Sequence, residues 1–167
     1  ENFKRQKAEV NYLLNLFLNE FDKLMKSGKL EKEKIRIRFI GRLEMFPQKL
    51  QDKMEEMMDY TKTFKEFTAN FCMAYGGRSE IVDAVNKLIK QGAKKVDEEE
   101  IAKNLYLQSE PDLVIRTSEQ RLSNFLMWQS AYSEIIFLPD KLWPEFTKQD
   151  LITCVEEFNS RQRRFGK

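Results

Sequence analysis

The most constraining feature of this chain is a pair of short runs, Leu113-Val114-Ile115 and Ile135-Ile136-Phe137-Leu138, that are apolar at every position rather than at alternate ones. A strand with no polar face has to be covered on both sides, and sheets of that kind are built from parallel strands with helices above and below. The rest of the chain supplies the helices. Val10, Leu13, Leu14, Phe17, Leu18, Phe21, Leu24 and Met25 recur at three-and-four spacing and predict an amphipathic helix from about Lys7 to Ser27. Ile35, Ile37 and Phe39 alternate with Arg36 and Arg38, so Lys34 to Ile40 reads as a half-exposed strand. Pro47 opens a helix through Leu50, Met54, Met57 and Met58. Phe67 to Tyr75 reads as a strand ended by Gly76-Gly77, and a helix with Ile81, Val82, Val85, Leu88 and Ile89 on one face follows. A charged helical stretch runs from Asp97 to about Leu105. The closing helix carries Leu151, Ile152, Val155 and Phe158 and ends in the basic segment Arg161 to Lys167. The fold class expected is α/β: one domain over residues 1–167, with a central parallel sheet covered by helices on both faces. The pattern carries few strands for such a sheet, so its first strands are expected to lie upstream.

Composition narrows the chemistry. The chain contains no histidine, which excludes a Ser-His-Asp or Cys-His triad, a His-ligated zinc and any imidazole acid/base step within these residues. Cys72 and Cys154 stand far apart among apolar neighbours, form neither a zinc cluster nor a disulfide framework, and point to a reducing compartment. Lys plus Arg number 29 against 27 Asp plus Glu, and a net charge of +2 does not favour a nucleic-acid partner. No apolar run approaches the roughly 20 residues of a membrane-spanning helix.

Ligands of open parallel sheets bind beyond the carboxyl ends of the strands, which directs attention to the segment after Leu113-Val114-Ile115. It reads Arg116-Thr117-Ser118-Glu119-Gln120-Arg121-Leu122-Ser123-Asn124-Phe125. Two guanidiniums with nearby hydroxyls suit phosphate oxygens, which arginine's planar fork grips bidentately. The same arginines also suit ion pairs with local carboxylates such as Asp112 and Glu119. Gly76-Gly77 at a strand-to-helix junction either lets backbone approach a phosphate or makes a tight turn. Glu134 is a carboxylate of the kind Mg²⁺ takes beside phosphate oxygens, or else a solvated residue at a strand start. The Met and Phe content serves a core, and would equally line a cavity for lipid.

Leu113-Val114-Ile115-Arg116-Thr117-Ser118, Glu119-Gln120-Arg121-Leu122-Ser123-Asn124-Phe125 and Leu126-Met127-Trp128-Gln129-Ser130-Ala131-Tyr132-Ser133-Glu134 together resemble the signature of the cis-prenyltransferases. This is the family of undecaprenyl diphosphate synthase and related polyprenyl diphosphate synthases. Leu142-Trp143-Pro144-Glu145-Phe146, Arg161-Gln162-Arg163-Arg164-Phe165-Gly166, Tyr75-Gly76-Gly77-Arg78 and the opening Glu1-Asn2-Phe3-Lys4-Arg5 continue the likeness, which covers essentially the whole chain.

The resemblance implies a Mg²⁺-dependent enzyme that condenses isopentenyl diphosphate onto an allylic diphosphate, farnesyl or geranylgeranyl diphosphate, with a cis double bond at each addition. Arg116, Arg121 and Ser123 would hold the diphosphate of isopentenyl diphosphate, and Glu134 would help bind Mg²⁺. Asn2 and Phe3 would lie close to the reacting centre, and Arg5 would help bind the allylic diphosphate. Leu13, Leu14, Leu16 and Phe17 would supply part of the wall of a hydrophobic tunnel, where side-chain bulk sets product length. Arg164, Phe165 and Gly166 resemble a tail that reaches into the partner's active site of a homodimer; the other reading of this basic end is a frayed helix terminus. The protein would be cytoplasmic, or peripheral at the membrane surface into which its product partitions. The alternative in the same family is a non-catalytic accessory subunit of a heteromeric enzyme.

This sequence also departs from the family pattern. A Gly usual between Ser118 and Glu119 is absent, Ala74 stands where Asn is common, and Gln6 where Pro is usual. The family's N-terminal third, with its Asp-Gly-Asn-Gly-Arg loop, has no counterpart here. The natural protein is therefore expected to be longer, and these 167 residues alone to be inactive.

Overall fold

The structure, a computed structural model, describes residues 7–161, with the backbone alone for residues 7–11. Its elements are α1 (Lys7–Lys26), α2 (Lys29–Lys32), β1 (Ile35–Ile40), a 3-10 turn (Leu43–Met45), α3 (Gln48–Thr61), β2 (Phe67–Cys72), α4 (Gly77–Lys90), α5 (Glu98–Asn104), β3 (Leu113–Thr117), β4 (Glu134–Leu138), a second 3-10 turn (Trp143–Glu145) and α6 (Lys148–Ser160). Both strand pairs are parallel, as expected for the apolar runs that form β3 and β4; the expected alternation of strands and helices holds from β1 to β2, but no helix stands between β3 and β4 among the described residues. The described residues form two compact units that divide between Tyr75 and Gly76.

In the first unit β1 pairs with β2 from Ile35 opposite Phe67 to Ile40 opposite Cys72, and α3 is the crossover between them. Ile37 and Phe39 turn inward onto Leu50, Met54 and Met57 of α3, and Phe21 of α1 completes this core with Leu30 and Phe46. Leu14, Phe17, Leu18, Leu24 and Met25 of α1 pack against the same cluster. From Leu14 to Met25 the apolar stripe read in the sequence is thus the inner face of α1. Phe21, Phe39 and Phe71 form a run of ring contacts, with centroids 5.0 Å apart for the first pair and 5.5 Å for the second.

A buried hydroxyl joins sheet and helix. Thr61, with no exposed surface, donates from Oγ1 to the Met57 carbonyl at 2.8 Å and accepts the Ile37 N–H at 3.0 Å. Where the strands end, Met73 N–H donates to the Ile40 carbonyl at 2.8 Å and the two chains leave side by side. Gly41 sits at that point with φ +125°, and a Cβ there would fall 2.0 Å from the Met73 carbonyl oxygen. Only glycine meets both demands.

In the second unit β3 pairs with β4 from Leu113 opposite Glu134 to Thr117 opposite Leu138. Val114 and Ile136 are the buried residues of the pair. The charged stretch after residue 96 is a real helix with a complete capping box: Asp97 accepts the Glu100 N–H at 2.9 Å, and Glu100 accepts the Asp97 N–H at 3.1 Å. Thr147 and Asp150 do the same for α6.

Two expectations about faces change. The buried stripe of α4 is Glu80, Ala84 and Leu88, whereas Val82 and Ile89 are exposed. Apolar residues occupy two adjacent stripes of this helix, so periodicity alone does not select the inner one. On α6 only Cys154 is fully buried, and Leu151, Ile152 and Val155 remain exposed among the described residues. Both cysteines are free thiols. No helix among the described residues is long and apolar enough to cross a membrane.

Candidate functional site

The site begins where β3 ends. Ser118 takes the left-handed conformation, φ +68°, and its N–H donates to both the Leu138 and the Lys141 carbonyls, at 3.1 and 3.0 Å. A non-glycine residue bears this geometry in a loop that lacks the usual Gly. The turn reverses the chain and brings Glu119 back over Arg116.

Around Glu119 the candidate diphosphate residues converge. Arg116 Nη2 donates to one carboxylate oxygen at 2.7 Å, and Arg121 Nε donates to the same oxygen at 3.1 Å. Arg121 Nη2 donates to the other oxygen, and the Ser123 hydroxyl lies 3.4 Å from the first. The two guanidiniums hold the Glu119 carboxyl below the usual carboxylate range, Arg116 contributing most and Arg121 next. Arg116 Nε is buried and has no partner.

The sequence left two readings for these arginines, an ion pair with a local carboxylate or a cradle for an anion. The structure contains the pair with Glu119, and the pair has the form of the cradle: the Arg121 fork, one Arg116 donor and a hydroxyl gather on a planar pair of anionic oxygens. A phosphate presents oxygens of the same charge and spacing.

The segment that carries the cradle is fastened to α4. Ser123, Asn124 and Leu126 all have positive φ, at 48°, 63° and 42°, so the segment does not hold its shape by local preference. The Asn124 carbonyl accepts the Gly77 N–H at 2.7 Å, and its side-chain Oδ1 accepts the Arg78 N–H at 2.9 Å. A helix N-terminus is thereby capped by a residue 46 positions away. The two glycines resolve accordingly. Gly76 is extended, which any residue can adopt, but a Cβ on it would lie 2.8 Å from Asn124 Nδ2. A Cβ on Gly77 would lie 3.0 to 3.2 Å from Met127 atoms. They are small to admit this segment, and the N–H groups of Gly77 and Arg78 are taken by Asn124.

One turn further, Glu80 is completely buried and accepts the Gln129 amide at 3.1 Å on both oxygens and the Leu107 N–H at 3.1 Å. Gln129 also donates to the Leu107 carbonyl at 2.8 Å. None of Glu80, Asn124 and Gln129 stood out as a functional residue in the sequence. The available signal was Glu80, a carboxylate in phase with Ala84 and Leu88 on the stripe that had to be buried.

Glu134 does not join the cluster on Glu119. It opens β4 opposite Leu113, three residues before Arg116 on the parallel neighbour, or about 10 Å along a strand at ~3.3 Å per residue. Its carboxylate accepts Arg161 Nη1 at 2.7 Å, and Arg161 also donates to Glu157. Arg161 is therefore a bridge from the end of α6 to β4, not a frayed terminus. No group of three or more acidic or thiol side chains able to hold a metal occurs among the described residues. A single carboxylate suits Mg²⁺ only where substrate oxygens and water complete the shell.

Of the tunnel candidates, Leu14 and Phe17 pack on the core of the first unit, Leu13 is half-buried and Leu16 is exposed. Asn2, Phe3, Arg5, Arg164, Phe165 and Gly166 lie outside the described residues.

Comparison with known proteins places this chain in a family. The model of the family described as putative undecaprenyl diphosphate synthase matches residues 1–166. An isoprenyl transferase of Thermotoga maritima is 46% identical over 99% of this chain and 73% of its own length. A tritrans,polycis-undecaprenyl-diphosphate synthase (geranylgeranyl-diphosphate specific) of Methanocaldococcus jannaschii is 41% identical over 100% of this chain and 63% of its own. Among solved structures, a probable undecaprenyl diphosphate synthase from Campylobacter jejuni superimposes with a TM-score of 0.90 at 35% identity, covering 99% of this chain and 78% of that one. Lavandulyl diphosphate synthase from Lavandula x intermedia, in complex with dimethylallyl diphosphate, gives 0.92 at 32%, covering 99% and 75%. The chain thus spans between 63% and 73% of the length of these two curated relatives. It belongs to the undecaprenyl diphosphate synthase family, the prenyltransferases of cis-prenyl chain elongation.

Proposed function

We propose that the protein carrying this chain condenses isopentenyl diphosphate with an allylic diphosphate and so lengthens a polyprenyl diphosphate by cis additions. The observation that carries the reading is the closure of Arg116, Arg121 and Ser123 on one carboxylate at the end of β3. In this reading the diphosphate of isopentenyl diphosphate takes the place of the Glu119 carboxylate, and Arg116 Nε gains its missing acceptor. Fixing that end of the substrate orients its double bond toward the allylic carbon, so that much of the barrier is met by positioning.

Arg5 is assigned to the allylic diphosphate, and Asn2 and Phe3 to the neighbourhood of the reacting carbon. As the allylic carbon gains positive character its diphosphate departs, and fixed cations stabilise the charge that develops. Mg²⁺, when bound, supplies further neutralisation of that leaving group. Glu134 is the residue that would hold it, after Arg161 has given up the carboxylate. Leu13, Leu14, Leu16 and Phe17 are assigned to the wall along which the growing chain is buried. A homodimer completed by Arg164, Phe165 and Gly166, a cytoplasmic location, and release of the product to the membrane belong to the same reading.

The test is Mg²⁺-dependent incorporation of labelled isopentenyl diphosphate by the pure, upstream-extended protein that carries this chain, with farnesyl or geranylgeranyl diphosphate as primer. A long butanol-extractable product is expected, and its chromatographic length identifies the subclass. A folded protein that incorporates nothing with either primer refutes the proposal.

A further inference from the structure

We infer that Asn124 is a positioning residue for the anion cradle: by capping α4 from outside, it holds the segment bearing Arg121 and Ser123 in the geometry that closes on an anion. The inference rests on the reading of Arg116, Arg121 and Ser123 as a diphosphate site, and three observations lead to it. The first is that the segment is strained. Ser123 and Leu126 are left-handed on either side of Asn124, itself left-handed as asparagine readily is, and residues such as Ser and Leu keep that conformation only when their surroundings impose it.

The second is that Asn124 is tied down at two atoms. Its carbonyl takes the Gly77 N–H and its Oδ1 the Arg78 N–H, the first two donors of α4, with no cap from the residue that precedes the helix. The side chain next to it in sequence is Ser123, whose hydroxyl faces the Glu119 carboxylate at 3.4 Å. Displacing residue 124 therefore displaces a cradle donor directly.

The third is the fit against Gly76. Asn124 Nδ2 stands 2.8 Å from where a Cβ on Gly76 would be, so the amide fills the space that the glycine leaves. A second anchor, Gln129 on buried Glu80, fixes the far end of the segment to the same helix. Asn124 is the nearer anchor to Ser123 and the only one with a side chain shaped by the glycine pair.

The experiment measures binding of inorganic pyrophosphate by calorimetry, together with KM for isopentenyl diphosphate, kcat and Tm. It compares the wild-type protein with N124A, N124D, G76A and G76A/N124A. Asn124→Ala loses the cap and is expected to weaken pyrophosphate binding and raise KM about tenfold, with kcat changed by less than twofold, because misplaced donors act on binding geometry. Asn124→Asp keeps an acceptor for the Arg78 N–H and should stay within about threefold of wild type. Gly76→Ala should reproduce the N124A defect by pushing the amide away. The double variant should be no worse than N124A, since the methyl then meets only the Ser79 Oγ at 3.8 Å, an ordinary contact.

The inference is overturned if N124A and G76A bind pyrophosphate as wild type does, or if the double variant shows the product of the two losses. It is equally overturned if N124A lowers Tm and kcat with KM unmoved, the signature of a merely structural role. Failure of the wild-type protein to bind pyrophosphate refutes the diphosphate reading itself, and is seen before any variant is compared.

Discussion

The Arg161 guanidinium lies 2.7 Å from the Glu134 carboxylate and joins two residues 27 positions apart, the residue that follows α6 to the first of β4. It reaches the Ile135 carbonyl at 3.4 Å and Glu157 as well, and the two carboxylates raise its pKa above the usual arginine value, Glu134 first and Glu157 next. The carboxylate assigned to Mg²⁺ thus already has a cation.

Competition between the two cations gives the first expectation. Arg161→Gln should lower the Mg²⁺ concentration for half-maximal incorporation several-fold, and Glu134→Ala should raise it. A magnesium titration of both variants checks this, and identical curves would remove Glu134 from the metal site.

Arg121 contributes two charge-assisted bonds to the cradle while most of its side chain stays in solvent. Arg121→Ala should therefore leave Tm nearly unchanged. Loss of such bonds to a charged group costs about 1.5–3 kcal/mol, which corresponds to roughly a ten- to hundredfold rise in KM for isopentenyl diphosphate. Steady-state kinetics with the allylic primer saturating decides it.

Asp150 makes a clear pH prediction. Lys141 above all, then the Thr147 hydroxyl and N–H, lower its pKa from 3.8 to about 2. A folded-state pKa below the unfolded one means stability that is fully present above about pH 4 and lost as pH falls through 2. Asp150→Asn should lower Tm at pH 7, and the difference from wild type should vanish near pH 2. Glu119, lowered by Arg116 and Arg121, shifts with the same sign, so acid also loosens the cradle. Melting curves between pH 2 and pH 7 test both.

Thr61 tests the first unit. Thr61→Val keeps the shape but leaves the buried Ile37 N–H without an acceptor, at a cost of about 1–3 kcal/mol. Thr61→Ser keeps both hydrogen bonds and should lose about 1 kcal/mol for the missing methyl. Urea denaturation of the pair distinguishes polarity from volume, and a Val variant as stable as wild type would contradict the assigned role.

How much of this was legible beforehand depended on range along the chain. The Asp97 box is local, and the charges between residues 97 and 105 already suggested a helix. Arg116, Arg121 and Ser123 lie within eight positions, and both the pair and the cradle could be read from them. Glu80 with Gln129, and Glu134 with Arg161, were not visible, because packing of separate elements sets those pairings and no periodicity encodes them. The phase of α4 failed for a related reason. Val82 and Ile89 are as apolar as Leu88, and the helix turns on the buried hydrogen bonds of Glu80, a residue that composition alone would put in water.

Gly41 carries a consequence for how this sequence can vary. Elsewhere in β1 and β2 a larger side chain can be accommodated by a smaller one opposite, as with any pair in a ladder. The obstruction at position 41 is the main chain of residue 73, 2.0 Å from the missing Cβ, and no substitution at residue 73 removes a carbonyl. Position 41 therefore has no compensating partner. In any population of variants that still fold, it stays fixed while the strands on either side of it drift.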